Sequence, residues 1–353
     1  MTPARPPARR PIHTVYVGAH LFRSGLAREW GDLALRTLTD YAHDLRAFAD
    51  ELVWARVREK LRREPIEDVR IDFEDGLGPR TDQDEDATAR TAGAEVVAGI
   101  ARGSLPPSLG LRIKPGARGA RTLELFLTSL VEGSGATLPT PLAVTLPKVG
   151  AVDEVANLAR LLEGLESRLR LGTGVLAIEL MVETPRAIVG TDGRCPLPEL
   201  VAAAGGRCRG VHFGVYDYAA ALGIAPLHHG LRHPSCDHAR HIMQVALAGT
   251  DVELSAGSTN VLPVPPRDNV LRAWRLHFED VRHSLVSGFY HGWDLHPAQL
   301  VTRYAAAFTF FRECLEPSAP RGSLLEDPAA VRVRAALRQR AQDCGAIARD
   351  DVI

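Results

Sequence analysis

The chain of 353 residues has few cysteines, no long apolar run and almost no net charge. Its five cysteines, Cys195, Cys208, Cys236, Cys314 and Cys344, are odd in number and form no C-x-x-C pair. A disulfide framework or a structural zinc site is therefore not expected, and reduced thiols in a cytoplasm are. No apolar run reaches the roughly 18 residues a membrane helix needs, so no membrane is expected as a partner. The 42 Lys+Arg, mostly Arg, stand against 43 Asp+Glu, for a formal charge of -1. No global field then points to nucleic acid or an anionic surface. No G-x-G-x-x-G follows the first predicted strand and no G-x-x-x-x-G-K-[ST] occurs, which takes the usual support from nucleotide folds. There is no internal repeat of fixed period. The N-terminus, MTPARPPARRPIH, is basic and Pro-rich without the apolar core of a signal peptide, and residues 1–12 read as a flexible arm.

What is present is an ordinary globular composition, 45% apolar and 24% charged, at a length that suits one large α/β domain or two smaller ones. Short β-branched, apolar runs recur at 13–20, 68–75, 109–115, 141–149, 175–184, 210–217, 260–264 and 287–296, with helix-like sequence between them. A long helical region over about 26–64 follows the first. Eight strands alternating with helices predict a (β/α)8 TIM barrel over 13–297, with an open doubly wound sheet as the competing closure. Residues 298–353 are read as extra C-terminal helices, a helical extension or lid on the barrel or on a neighbouring subunit.

Barrel chemistry sits where strands end. The second run, VRIDFEDG, ends in Asp72, Glu74 and Asp75, three acids within four residues. Such crowding needs water, donors or cations beside it. The third run ends in Arg112 and Lys114, the fourth in Lys148, the fifth in Glu179, Glu183 and Thr184, and the sixth in Asp217. Glu183 and Asp217, read as ending adjacent strands, suit a hard divalent cation such as Mg2+, which takes one or two carboxylates and leaves other positions to water and substrate oxygens. Arg112 presents a planar fork for a carboxylate or enolate oxygen. Lys148 could be a Schiff-base nucleophile, a charge stabiliser or the partner of Glu74. His228, His229 and His233 form a competing metal cluster, but Gly230 and Pro234 argue for a loop of hydrogen-bonded histidines. Glu279 and Asp280 lie on an amphipathic segment and read as a solvated face.

The ordered motifs DFEDGLGPRTDQDEDATAR, LRIKPG, LPKV, VETPRAI, HFGVYDYAAALG and GFYHGWDLHPAQL resemble the HpcH/HpaI aldolase/citrate lyase family, closest to its citrate lyase β-subunit-like branch with the malyl-CoA and citramalyl-CoA lyases. The likeness covers most of residues 13–300. It implies a barrel with Mg2+ (or Mn2+) at its mouth and cleavage or formation of a carbon–carbon bond beside a keto acid or CoA thioester. It further implies Glu183 and Asp217 as metal ligands, with Arg112 holding a substrate carboxylate and the enolate charge. Asp72, Glu74 and Asp75 would order metal-bound waters and neighbouring cations, Lys148 would pair with this acidic group, and Thr184 would touch substrate. The sequence departs from the family at Lys114, where Asn is usual, and at Gly292-Trp293, where Gly-Lys is usual. The expected partner is a small keto acid or acyl-CoA, and a homo-oligomer, trimer or hexamer, is expected. A phosphoryl-transfer barrel of the phosphoenolpyruvate/pyruvate type and a non-catalytic metabolite-binding barrel are the alternatives.

Overall fold

The computed structural model describes residues 9–139, 142–315 and 328–348. Eight parallel strands run in the order β1 (His13–Gly18), β2 (Asp68–Asp72), β3 (Ser108–Arg112), β4 (Leu142–Leu146), β5 (Leu176–Val182), β6 (Cys208–Phe213), β7 (Glu253–Ser255) and β8 (Gly292–Asp294). Each strand from β1 to β6 pairs with the next, and β8 pairs with β1. At the remaining seam Ser255 bridges His291, and the Trp293 N–H donates to the Gly257 carbonyl at 2.9 Å. The sheet thus curls into the predicted (β/α)8 barrel.

One predicted strand is misplaced. The run NVLPV at 260–264 is irregular, and the seventh strand lies upstream of it, the three residues Glu253–Ser255. Pro263, Pro265 and Pro266 remove ladder donors, which outweighs the β propensity of the valines. The long helical region divides into α1 (Leu26–Asp40) and α2 (Glu51–Arg63), and the Asp50 carboxylate caps α2 by accepting the Val53 N–H at 2.9 Å. The outer ring continues with α3 (Asp82–Arg102), α4 (Gly116–Ser134), α5 (Val152–Arg168), α6 (Leu197–Ala203), α7 (Val215–Ala221), α8 (Pro234–Leu247) and α9 (Arg267–Val286).

Within the C-terminal stretch, α10 (Gln299–Leu315) follows β8 and is buried along nearly its whole length, packed on α9 and α2. Near the end of α11 (Pro328–Cys344), Arg340 donates to Glu253 at 2.8 Å. That contact lies where β7 begins, on the face opposite the strand ends. Of the arm over 1–12, residues 1–8 lie outside the described residues. Arg9 pairs with Glu64 and Glu67, and Ile12 is buried.

Strand alternation decides what fills the barrel. Val15, Val17, Val69, Ile71, Leu109, Leu111, Val144, Ile178 and Leu180 face the helices and join one large core. Each such burial is worth about 1.5–3 kcal/mol. Parallel strands are usually apolar on both faces, yet here several of the intervening residues are polar. Arg70 makes a two-pronged contact with Glu179 and also pairs with Asp68; Thr145 donates to Glu179 at 2.8 Å. Thr14 donates to Asp68 at 2.7 Å. Tyr16 Oη and His212 Nδ1 are 2.9 Å apart. Arg70, Glu179, Asp68, Thr145 and Thr14 thus form a paired ionic column inside the barrel, and the site lies above it. No helix among the described residues is long and apolar enough to cross a membrane.

Candidate active site at the barrel mouth

Asp72 ends β2 and organises the acidic turn. One of its oxygens accepts the Glu74 N–H, the other the Gly76 N–H, both at 2.9 Å. A Cβ on Gly76 would stand 2.6 Å from Asp72 Oδ2, so only glycine lets the turn fold this tightly over the carboxylate. Arg112, ending β3, holds the same carboxylate with Nε at 2.8 Å and with Nη2. Its remaining nitrogen, Nη1, lies 3.2 Å from Glu74, 3.4 Å from Asp75 and 3.6 Å from the Met181 sulfur. The guanidinium also rests 5.1 Å above the Tyr16 ring. Its fork is thus committed to Asp72, and Nη1 is the part that meets the other acids of the mouth. Burial opposes its charge, but Asp72 and Glu74 outweigh burial and raise its pKa further.

Lys148 occupies the turn after β4 with φ of +52°, left-handed backbone that a lysine rarely adopts and that marks a position held by its surroundings. Its ammonium pairs with Glu74, and its backbone N–H donates to Glu183 Oε1 at 2.7 Å. Burial works against the Lys148 charge, but the hydrogen bond and charge of Glu74 prevail and hold its pKa above the ordinary value. The geometry is that of a charge partner; a Schiff-base nucleophile would need the opposite shift. Burial pushes the Glu74 carboxyl up, against the pull of Arg112 and Lys148.

Glu183 follows β5 and is 2% exposed. A Cβ on Gly214 would come within 2.4 Å of its Cβ and 2.6 Å of Oε2, so the glycine of H-F-G-V-Y-D makes room for this side chain. Burial, then the nearby charge of Asp217, lifts its pKa to about 8. Asp217 itself is exposed in the first turn of α7, not at the end of β6 as the sequence suggested. The strand stops at Phe213, and the helix begins two residues before the acid. Thr184 is half-buried, and its hydroxyl donates to the Val149 carbonyl at 3.2 Å, tying the ends of β4 and β5 together.

Other sequence candidates are used elsewhere. Lys114 reaches away to Glu85 of α3 at 2.5 Å. Glu179 belongs to the ionic column beneath the site. His229 Nε2 is 2.7 Å from the Ile224 carbonyl, and His233 accepts the Ser235 N–H at 3.2 Å at the start of α8. Asp280 is not solvated: it is buried, accepting from Arg232 at 2.8 Å and Thr259 at 2.7 Å. The sequence reading missed the layer directly below, where Tyr16, Met181 and Trp293 form an apolar cluster separate from the main core. Their common signal was position, one or two residues before a strand end.

The ends of β2 to β5 and the start of α7 bring Asp72, Glu74, Asp75, Glu183 and Asp217 together with Arg112 and Lys148. Among the described residues no three or more His, Cys, Asp or Glu side chains form a group able to hold a metal ion by themselves. Two carboxylate side chains, one of them in a cradle that a Cβ would fill, fit a hard cation that keeps substrate and water among its ligands, which is the habit of Mg2+, and do not fit a closed zinc site.

Fold and site together define a (β/α)8 barrel with an acidic mouth suited to a divalent cation. The chain belongs to the family described as Domain of unknown function (DUF6986), which matches residues 1–353. No curated protein matches it. Among solved structures it resembles a citrate lyase from Burkholderia xenovorans LB400, at 19% identity and a TM-score of 0.63, over 96% of this chain and 94% of that one. A Haloferax volcanii malate synthase in a magnesium/glyoxylate complex aligns at 15% identity and a TM-score of 0.57, over 94% and 88%. Protein CitE from Mycobacterium tuberculosis, in complex with magnesium and pyruvate, aligns at 20% and 0.51, over 94% and 98%. The resemblance to the HpcH/HpaI aldolase/citrate lyase proteins thus holds at the level of the fold.

Proposed function

We propose that this protein is a Mg2+-dependent carbon–carbon lyase or aldolase acting on a 2-keto acid or acyl-CoA through an enolate. The observation that carries the proposal is a Glu183 buried in its Gly214 cradle, with the charge of Asp217 close enough to raise its carboxyl, beside the Asp72–Glu74–Asp75 turn. The occurrence of magnesium with pyruvate or glyoxylate in proteins of the same fold supports it. Glu183 and Asp217 would hold Mg2+ (or Mn2+), which supplies Lewis-acid stabilisation of charge developing on a keto-acid oxygen.

The chain's own residues divide the remaining work. Arg112 meets the developing enolate charge through Nη1, while Asp72 fixes the guanidinium plane. A fixed donor of this kind is worth about 3–4 kcal/mol in a transition state. Glu74 and Asp75 set the charge around that nitrogen, and Lys148 offsets their repulsion. The Lys148 N–H orients one Glu183 oxygen, and Thr184 holds the β5 end that a bound keto acid would touch. A trimeric or hexameric assembly, with a C-terminal segment covering a neighbour's mouth, is part of the proposal and is read by light scattering.

A retro-aldol panel of 2-hydroxy and 4-hydroxy-2-keto acids and their CoA thioesters, assayed by release of pyruvate, glyoxylate or acetyl-CoA, tests the reaction. Turnover that needs Mg2+ and disappears with EDTA is expected. Metal-independent turnover, or none across the panel, refutes it.

A further inference from the structure

The mouth has two unlike sides. All the charged residues described above project from the ends of β2 to β5 and from α7. The segments after β7 and β8, residues 256–266 and 295–298, contain no Asp, Glu, Lys or Arg. The first reads AGSTNVLPVPP. The Asn260 N–H donates to Tyr216 Oη at 2.6 Å and Gln299 donates to the Thr259 carbonyl at 2.8 Å, which pins this loop. It nevertheless leaves Val261, Leu262 and Val264 exposed, each by more than a third. Exposed apolar residues so close together need a reason.

The apolar side continues down into the barrel. Leu295, half-buried, packs on the cluster of Tyr16, Met181 and Trp293. The Tyr16 and Trp293 rings are 4.6 Å apart. Arg112 joins the two sides, since it rests on Tyr16 and touches Met181. Trp293 Nε1 is sealed from water and has no hydrogen-bond partner, a rare state for a buried donor.

We propose that the β7–β8 side is the wall that selects the substrate. The substrate is a monocarboxylic 2-keto or 2-hydroxy acid with an uncharged aliphatic or aromatic substituent, not a dicarboxylate. The inference rests on the lyase reading of the mouth. A second carboxylate against this wall would lose its water and find no cation on it, since neither segment carries a Lys or Arg. An apolar substituent loses nothing there.

The test is calorimetric binding to the Mg2+-loaded full chain, with tryptophan fluorescence as a second readout. The ligands are 4-methyl-2-oxopentanoate and phenylpyruvate against oxaloacetate and 2-oxoglutarate. The apolar acids are expected to bind at least about tenfold more tightly. Leu295→Arg, and Leu262→Arg in the exposed loop should the first not fold, are expected to erase or reverse that preference. Equal or tighter binding of the dicarboxylates overturns the inference and leaves the lyase reading standing. Absence of Mg2+-dependent binding by any 2-keto acid sinks both. If Leu262→Arg changes the oligomeric state by light scattering and leaves the preference intact, the loop is a contact with a second copy, and the inference fails.

Discussion

Replacing Glu183 by Gln gives a prediction opposite to the usual expectation for a buried polar residue. Burial and Asp217 lift this carboxyl to about 8. The folded chain therefore binds a proton there more tightly than the unfolded chain, where a glutamate has its ordinary value of 4.5. Stability from this group is complete below the unfolded value and is lost as pH rises through the folded one. Three and a half units at about 1.36 kcal/mol each set a ceiling of about 5 kcal/mol on the loss between pH 4.5 and pH 8. Glutamine keeps the shape and an oxygen for the Lys148 N–H, and it never ionises. In EDTA at pH 8.5, Glu183→Gln should be the more stable protein, by up to about 5 kcal/mol, and the difference should vanish near pH 5. Urea denaturation between pH 5 and 8.5 reads both. A parent protein that gains stability over this interval relative to the variant, or a variant that is weaker at pH 8.5, refutes the reasoning.

Three other expectations follow from the same contacts. Asp72→Asn removes the charge that holds Arg112 and should cost about 3–5 kcal/mol in denaturant unfolding; a loss under about 1 kcal/mol would mean that Glu74 and Asp75 suffice. Glu179→Gln breaks the pair with Arg70 and should cost a similar amount at pH 7. Arg70 holds the Glu179 carboxyl near 2 against the effect of burial, so this contribution is present above about pH 4.5 and fades as pH falls towards 2, and parent and variant should converge there. Lys148 is held protonated, so borohydride treatment with pyruvate should leave its mass unchanged; a reduced adduct at Lys148 would overturn its assignment as a charge partner.

The barrel was legible because each βα unit writes its own local pattern, an apolar run and then a helical one. The exception, β7, is three residues long, too short to carry a period, and the nearby Val-Leu-Pro-Val stretch imitates one. Asp72, Glu74, Arg112, Lys148 and Glu183 could be placed because strand ends are local features. Asp217 was misassigned by one turn because the passage from strand to helix at Gly214 leaves no break in hydropathy. The column below the site was hidden for a different reason: Arg70 and Glu179 are 109 residues apart, and only closure of the barrel brings them into contact. The same holds for Tyr16, Met181 and Trp293, each an unremarkable residue on its own strand. Glu179 shows the cost of reading position alone. It shares a face with Glu183, yet it is consumed by Arg70 one layer down.

Whether Glu183 and Asp217 share a cation is read most directly by a Mg2+ titration, by calorimetry at pH 8.5. The parent chain is expected to take up one ion, and Glu183→Gln and Asp217→Asn are each expected to abolish the uptake while remaining folded by circular dichroism. Binding in either folded variant that matches the parent would contradict the assignment of that carboxylate, and the proposed chemistry with it.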